Sequence, residues 1–355
     1  MKIPKQLYEW PIYAGAKTLF FEALFYSGSL KLFRFFHRDA LLVVTYHDVL
    51  PAGFPENNPL FGMTVATDEF EWQLDYIVSR YNPVSFAQVL DWLNGNGRLP
   101  ARPVLITFDD GHANNVHYAF PHLKERGVPF TCFVVASALG EQKLLWFEEG
   151  YSRILYSNKK VWQLQNGESI PLGTPEQRSA ACSKFFMMFH KLSEAEQESE
   201  ISHLRAQLPL EKGAGSFPSR FDFLSEEELI TLRASGGEIG AHTMTHPILA
   251  SQSSKNAGDE IRLSKSVLEK ALGTTVQAFA YPFGMPQLDF STRDSETVKQ
   301  AGFSLAFAAN AGFVTRNSDR FALPRIGIGR MSRAQFATTI SGALHSIKGL
   351  AGLGN

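Results

Sequence analysis

Two adjacent carboxylates, and two histidines four residues apart, are the side chains best placed to do chemistry in this sequence. Asp109 and Asp110 end the apolar run PVLITF and precede Gly111. Neighbouring carboxylates repel, and burying them is costly unless a cation neutralises them. His242 and His246 lie in HTMTHP, directly after GEIGA. Their spacing lets two imidazoles converge from one helical turn, a common arrangement for metal ligands. Two His and one Asp make three ligands and leave open positions on a divalent ion, as in hydrolytic sites. The other Asp then stays available to act on water. A third motif, Ala280-Tyr281-Pro282-Phe283-Gly284, ends another apolar run. Taken singly, each has a plain reading, since Asp-Asp-Gly is a frequent turn and H-x-x-x-H arises by chance among ten His.

These motifs need a scaffold that brings distant segments together. From residue 40 short apolar runs alternate with helical patterns: LLVVTYH, then EFEWQLDYIVSRY and FAQVLDWLNG, PVLITF, NNVHYAFPHLKERG ended by Gly127 despite Pro121, and VPFTCFVVAS. The rhythm resumes at SEEEL, where Ser225 and Glu228 form a capping-box pair. It continues through GEIGAH, SKSVLEKALG, TVQAFAYPFG, SLAFAA and FALPRIGI to a final helical pattern, SRAQFATTISGALHSI. Repeated βα units predict a parallel α/β architecture, barrel or doubly wound, with its site at the carboxyl ends of the strands. All three motifs fall there. Residues 141–222 interrupt the alternation and predict a mostly helical insertion. There is no Gly-rich phosphate loop.

ITFDDG, HTMTHP and YPFG together resemble the first three motifs of the polysaccharide deacetylases, the NodB-homology or carbohydrate esterase 4 family. The resemblance covers roughly residues 41–140 and 223–330. It implies a distorted (β/α)7 barrel, placed over residues 39–340; outside the resemblance, the sequence itself reads as an amphipathic aromatic segment at 1–38 and a tail at 341–355. The resemblance implies that Asp110, His242 and His246 hold the metal and that Asp109 is the general base. Tyr281, Pro282 and Phe283 would supply substrate and oxyanion contacts, through a backbone N–H. The implied reaction removes acetyl groups from an N-acetylglucosamine-type polysaccharide or lipid-linked oligosaccharide, with a metal-bound water as nucleophile. Zn2+ suits a His2Asp set, while Ni2+, Co2+ and Fe2+ accept similar ligands. Hydrolysis of a small non-sugar amide and an inactive carbohydrate-binding protein are the alternative readings.

Two positions depart from the family pattern. The late Leu-x-His acid has one counterpart, Leu344-His345 within Ala343-Leu344-His345, and it falls in a helical stretch. His345 is therefore read as structural or surface. Thr45-Tyr46-His47-Asp48-Val49 instead resembles the Y-H-x-V motif of the branch that includes poly-N-acetylglucosamine deacetylases, which makes His47 the expected acid. Ala280 stands where the common third motif has an Arg that orients the base. Arg325, at the end of a late strand, is the expected replacement. His112 receives no role.

Composition excludes other classes. The 355 residues carry 34 Lys+Arg against 35 Asp+Glu, without the basic field of a nucleic-acid binder. Cys132 and Cys182 are too few for a disulfide scaffold. No transmembrane helix or signal peptide is expected, which predicts a cytoplasmic protein, or one at the inner face of the membrane. The membrane option comes from residues 8–36, where Tyr8, Trp10, Tyr13, Phe20, Phe21, Phe25, Tyr26, Phe33, Phe35 and Phe36 are interleaved with Lys17, Lys31 and Arg34, and Arg38 follows. Such a segment either lies on an anionic bilayer or packs as a helix pair on the protein. Phe20, Phe21 and Leu24 share a helical face, so packing is the expectation.

Overall fold

The computed structural model describes residues 11–350 except 55–57, 142 and 211–219. Residues 1–10, with Tyr8 and Trp10, and 351–355 of the expected tail lie outside the described residues. Helices α1 (Pro11–Tyr26) and α2 (Leu30–Phe36) precede β1 (Leu41–Tyr46). The short β2 (Asp48–Leu50) pairs in parallel with β3 (Thr64–Ala66). Then α3 (Thr67–Arg80), β4 (Asn82–Pro83) and α4 (Phe86–Leu93) lead to β5 (Pro103–Phe108). A π-helical turn at Asn115–Ala119 and α5 (Phe120–Glu125) connect to β6 (Phe130–Val134). The insertion holds α6 (Trp146–Tyr156), the hairpin β7 (Val161–Gln163) and β8 (Ser169–Pro171), α7 (Pro175–Phe189) and α8 (Glu194–Gln207). The alternation returns with α9 (Glu226–Ala234), β9 (Glu238–Ala241), α10 (Ser254–Leu272), β10 (Ala278–Ala280), α11 (Thr292–Gln300) and β11 (Leu305–Phe307). The chain ends with β12 (Phe313–Val314), β13 (Ile326–Gly327), α12 (Arg333–Ile340) and α13 (Ala343–Leu350).

Local chemistry explains most boundaries. The Ser225 side chain accepts from the Glu228 N–H and Glu228 returns the bond, so α9 starts at the capping box. Gly273 ends α10 at φ +65°, a conformation open to glycine. Pro121 falls in the first turn of α5, where its missing N–H costs no helical bond. The single helix expected over residues 114–127 is therefore divided into a π turn and a short helix.

β1, β5, β6, β9, β10 and β11 pair in parallel in that order. The outer edge of β11 meets the segment before β13: Ala306 N–H donates to Arg320 O and Ala308 N–H to Leu323 O, both at 2.8 Å. That segment runs into β13, which is parallel to β1. The sheet thus curls back on itself as a distorted barrel in which β13 is the last of the parallel strands. β1, β5 and β6 are buried at every position, as expected for apolar strands covered on both faces. Leu42, Val44 and Tyr46 face the surrounding helices with Leu74, Ile77 and Ile261. Leu41, Val43, Leu105, Phe133, Phe307 and Leu323 form the opposite cluster, closed by Phe86, Val89 and Trp92 of α4. His47 has the parity of Val43 and Thr45, so strand alternation directs it toward that second face.

The insertion has its own core, including Trp162, Phe185, Phe189 and Leu204, which reaches Ile248 and Phe283 beside the site. Within the segment 341–355, residues 343–350 form a helix, and Ala343 is buried with Leu30 and Ala337.

Candidate active site

Three backbone segments set the site's geometry, and the carboxyl end of β6 holds two of them in place. Val135 N–H donates to Asp110 O (3.2 Å), Ala136 N–H to Thr243 O (3.0 Å) and Ser137 N–H to Met244 O (3.0 Å). The Asp-Asp-Gly loop and the His loop are thereby fixed on either side of one strand. Asp110 has φ +71°, and Gly111 N–H closes a three-residue turn onto Asp109 O at 2.9 Å. Such left-handed turns cost roughly 1–3 kcal/mol for a non-glycine residue and persist where the surroundings enforce them. A Cβ on Gly111 would stand 3.0 Å from the Val134 side chain, so the turn also requires a glycine's bareness.

HTMTHP is not a helical turn, contrary to the expectation from its spacing. Thr243 and His246 have φ +65° and +62°, and the loop is held by long-range bonds. Glu260 of α10 accepts from the Met244 and Thr245 N–H groups at 2.8 and 2.9 Å, and Thr243 Oγ1 accepts from His246 N–H at 3.0 Å.

The loops bring Asp110, His242 and His246, all buried, together with ligand atoms within 4.8 Å of one another. Asp110 Oδ1 lies 3.5 Å from His242 Nε2 and 3.3 Å from His246 Nε2, and it accepts no hydrogen bond among the described residues. Ligand atoms about 2.1 Å from a tetrahedral Zn2+ stand ~3.4 Å apart. These donors and spacings therefore fit a divalent cation. His242 Nδ1 donates to Ala280 O at 2.8 Å, which leaves Nε2 unprotonated and aimed at the cluster. Burial, reinforced by the neighbouring His246, lowers the His242 pKa to about 4, the neutral form a ligand needs.

Asp109 lies on the other side of the turn. Its N–H donates to Tyr46 O (2.9 Å), and its carboxylate faces Arg325 in a two-point pair, Nη1–Oδ1 2.7 Å and Nη2–Oδ2 2.8 Å. Arg325 is itself buried, its Nε donating to Ala308 O at 3.0 Å. Burial alone would raise the Asp109 pKa, but the Arg325 charge, followed by His242 and His47, holds it below its usual value.

His47 follows β1 directly and lies close enough for its charge to bear on both Asp109 and Asp110. Its Nδ1 is buried without a hydrogen-bond partner among the described residues, and Asn115 Nδ2 donates to its carbonyl at 2.9 Å. His345 is remote from this cluster. It packs beside His37 and Phe313, at the end where β1 begins.

Of the Tyr281-Pro282-Phe283 segment, Tyr281 is displaced from the expected oxyanion role. Its N–H donates to Phe307 O (3.1 Å), its hydroxyl to Phe321 O (2.8 Å), and its ring stacks on Phe290 at 3.7 Å. Pro282 has no N–H. Phe283 N–H has no partner among the described residues. Phe283 has φ +58° in a turn closed by Gly284 N–H to Pro282 O (2.6 Å), and its ring lies 4.8 Å from that of His246. Phe147 and Trp146 from α6 and Phe186 from α7 extend the aromatic wall, with Trp146 Nε1 donating to His246 O at 2.9 Å.

Sequence reasoning missed a buried charge network under His47. His112 Nδ1 is 2.9 Å from Asp48 Oδ1, and Arg220 reaches Asp48 Oδ2 and Glu148 Oε1, both at 3.0 Å. Asn114 Nδ2 adds 2.7 Å to Asp48 Oδ1. Burial opposes the charge on His112, but the Asp48 carboxylate outweighs it and raises the His112 pKa. The one sequence signal was a His beside Asp-Asp-Gly; nothing marked Arg220.

The sequence profile described as polysaccharide deacetylase matches residues 96–306, taking in the Asp-Asp, His and Tyr-Pro-Phe-Gly motifs and beginning after His47. Poly-beta-1,6-N-acetyl-D-glucosamine N-deacetylases of Staphylococcus aureus strains MSSA476 and COL are 27% identical over 117 residues, or 30% of this chain and 40% and 39% of theirs. The matched part thus spans about 40% of those relatives' length. Two solved structures share the fold. IcaB from Ammonifex degensii superposes with a TM-score of 0.55 at 23% identity, covering 85% of this chain and 97% of its own. The Streptococcus pyogenes deacetylase PplD, in complex with acetate, gives 0.57 at 18%, covering 85% and 99%. With the profile match extending over more than half of its length, the chain belongs to the polysaccharide deacetylase family, and its curled α/β barrel is of the NodB type.

Proposed function

We propose that this protein is a divalent-metal-dependent hydrolase that removes acetyl groups from N-acetylglucosamine units of a polysaccharide, with a β-1,6-linked polymer as the first candidate. Asp110, His242 and His246 would hold the cation, and Zn2+ suits a set of two imidazoles and one carboxylate. When bound, it supplies Lewis-acid polarisation and acidifies nearby water.

The rest of the reaction falls to the chain itself. Asp109, kept anionic by Arg325, takes the proton from the attacking water. Phe283 N–H donates to the oxygen on which negative charge develops at the former acetamide carbonyl. His47 gives a proton to the departing amine, which an amide nitrogen requires in order to leave. The half-buried rings of Phe147 and Phe283 stand beside His246 and would supply flat apolar surface for a pyranose face. This favours a sugar over a small non-sugar amide.

The observation that carries the reading is an arginine-held carboxylate one residue away from a three-ligand cluster. Acetate release from β-1,6-linked N-acetylglucosamine oligomers and from chitooligosaccharides tests the substrate. The β-1,6 series is expected to give the higher kcat/KM. Equal or reversed preference would remove the proposed linkage, and activity confined to small acetamides would remove the sugar.

A further inference from the structure

The aromatic amino-terminal helices do pack on the barrel, but through one face only. Phe21 and Leu30 are buried, and Leu24, Phe25 and Phe33 pack in the cluster formed with Ala337 and Ala343. The opposite face is bare: Leu19, Tyr26 and Phe36 are 72%, 79% and 67% exposed, and Phe20, Leu32 and Phe35 also stand in solvent. The helical face expected from the sequence is thus shifted, with Phe20 pointing out.

Cations rim this apolar face. Lys31, Phe35, Arg38, Ala101 and Arg102, together with Arg34, which is itself buried, line a cleft of about 360 Å³. Arg102 is held in the left-handed region at φ +53°, its N–H donating to Arg38 O at 2.6 Å. This strained turn brings two arginine-bearing segments together. Asp39 offsets part of Arg38, at 3.4 Å, and Arg34 donates to Tyr76 Oη at 3.1 Å. Arg98 and Arg316 line a neighbouring cleft. Among the described residues no helix is long and apolar enough to cross a membrane.

Exposed aromatic and aliphatic side chains edged by cations match the headgroup layer of an anionic bilayer, where rings sit at the boundary and Lys/Arg meet lipid phosphates. We propose that α1 and α2 dock this protein peripherally on an anionic membrane, with Lys31, Arg38 and Arg102 at the phosphates and Leu32, Phe35 and Phe36 in the headgroup layer. Arg38 and Arg102 lie just before β1 and β5, whereas His47 and Asp109 follow the other ends of those strands. At about 3.3 Å per residue, a six-residue strand puts the two ends about 20 Å apart. Docking therefore turns the catalytic mouth away from the bilayer, toward a polymer in solution.

Co-sedimentation of the full chain with vesicles of phosphatidylcholine, with and without phosphatidylglycerol, tests this. Binding is expected for the anionic vesicles, weakening as salt is raised. Replacing two cations (Lys31→Glu with Arg38→Glu) is expected to lower partitioning about 30-fold or more. Phe35→Ser with Phe36→Ser is expected to lower it at least about tenfold. Both variants should keep the parent Tm, because these side chains are at the surface. Absence of binding to anionic vesicles, or binding by both folded variants equal to the parent's, would overturn the proposal.

Discussion

Arg325 grips both oxygens of Asp109 from inside the barrel, at 2.7 and 2.8 Å. The two residues are 216 positions apart, and one ends β5 while the other leads into β13. This fork gives Asp109, the proposed base, the guanidinium partner that Ala280 cannot supply.

Arg325→Lys keeps the charge but not the planar fork, and Arg325→Met removes both. Both are expected to lower kcat, the Met variant by about 10²-fold, at the lower end of what a positioned base contributes. Zinc content should stay unchanged. With the guanidinium gone, burial pushes the Asp109 pKa up, so the acid limb of the kcat/KM profile moves to higher pH. Loss of bound metal, or an unmoved acid limb, would separate Arg325 from the base.

His47 and His345 are distinguished by position. His47→Ala should cost about 10²–10⁴-fold in kcat with little change in metal binding, as for loss of a general acid. His345→Ala, at the opposite end of β1, should leave kcat within about twofold. The reverse outcome in paired steady-state assays would move the acid role to the carboxyl-terminal helix.

The buried quartet of Asp48, His112, Glu148 and Arg220 ties the insertion to the residue after His47. Arg220→Met strands two buried carboxylates and should cost about 3–5 kcal/mol. The double change Arg220→Met with Glu148→Gln should cost less than the sum of the two single changes, because they share one network. Urea unfolding of the three variants measures this, and strict additivity would mean that the charges act independently.

His190 at the end of α7 donates to Asp289 at 2.8 Å, linking the insertion to the loop after β10. Burial opposes the charged ring, but the hydrogen bond and charge of Asp289 and the Phe186 carbonyl outweigh it and raise the pKa. A raised folded-state pKa contributes stability that is complete below about 6.5 and is lost as pH rises through the raised value. His190→Gln should therefore lower stability at about pH 5.5 more than at about pH 8.5. An equal loss at both pH values would show that the link is not ionic.

The sequence was informative where the signal is local or rests on residue type. Six-residue apolar runs such as LLVVTY and PVLITF marked the buried parallel strands, and Ser225 with Glu228 marked a helix start. The motifs indicated Asp109, Asp110, His242 and His246, and a missing arginine directed attention to Arg325. What escaped is set by contacts between distant segments. The His242–His246 loop is shaped by the Ala136 and Ser137 N–H groups just after β6 and by Glu260, none of which its helix-like four-residue spacing reveals. Tyr281 sits in the right motif, but packing against Phe290 and bonds to Phe307 and Phe321 claim its ring and both donors. Arg220 lies 172 residues from Asp48 and carries no local mark of the pairing.

Asp109 is proposed to act beside a metal held by Asp110, His242 and His246. This arrangement is tested most directly by acetate release from β-1,6-linked N-acetylglucosamine oligomers by metal-stripped protein titrated with Zn2+, alongside Asp109→Asn. The stripped protein should release no acetate and should recover at one Zn2+ per chain. Asp109→Asn should lose about 10²-fold or more with zinc still bound. Acetate release that ignores the metal, or survives Asp109→Asn undiminished, would contradict this arrangement.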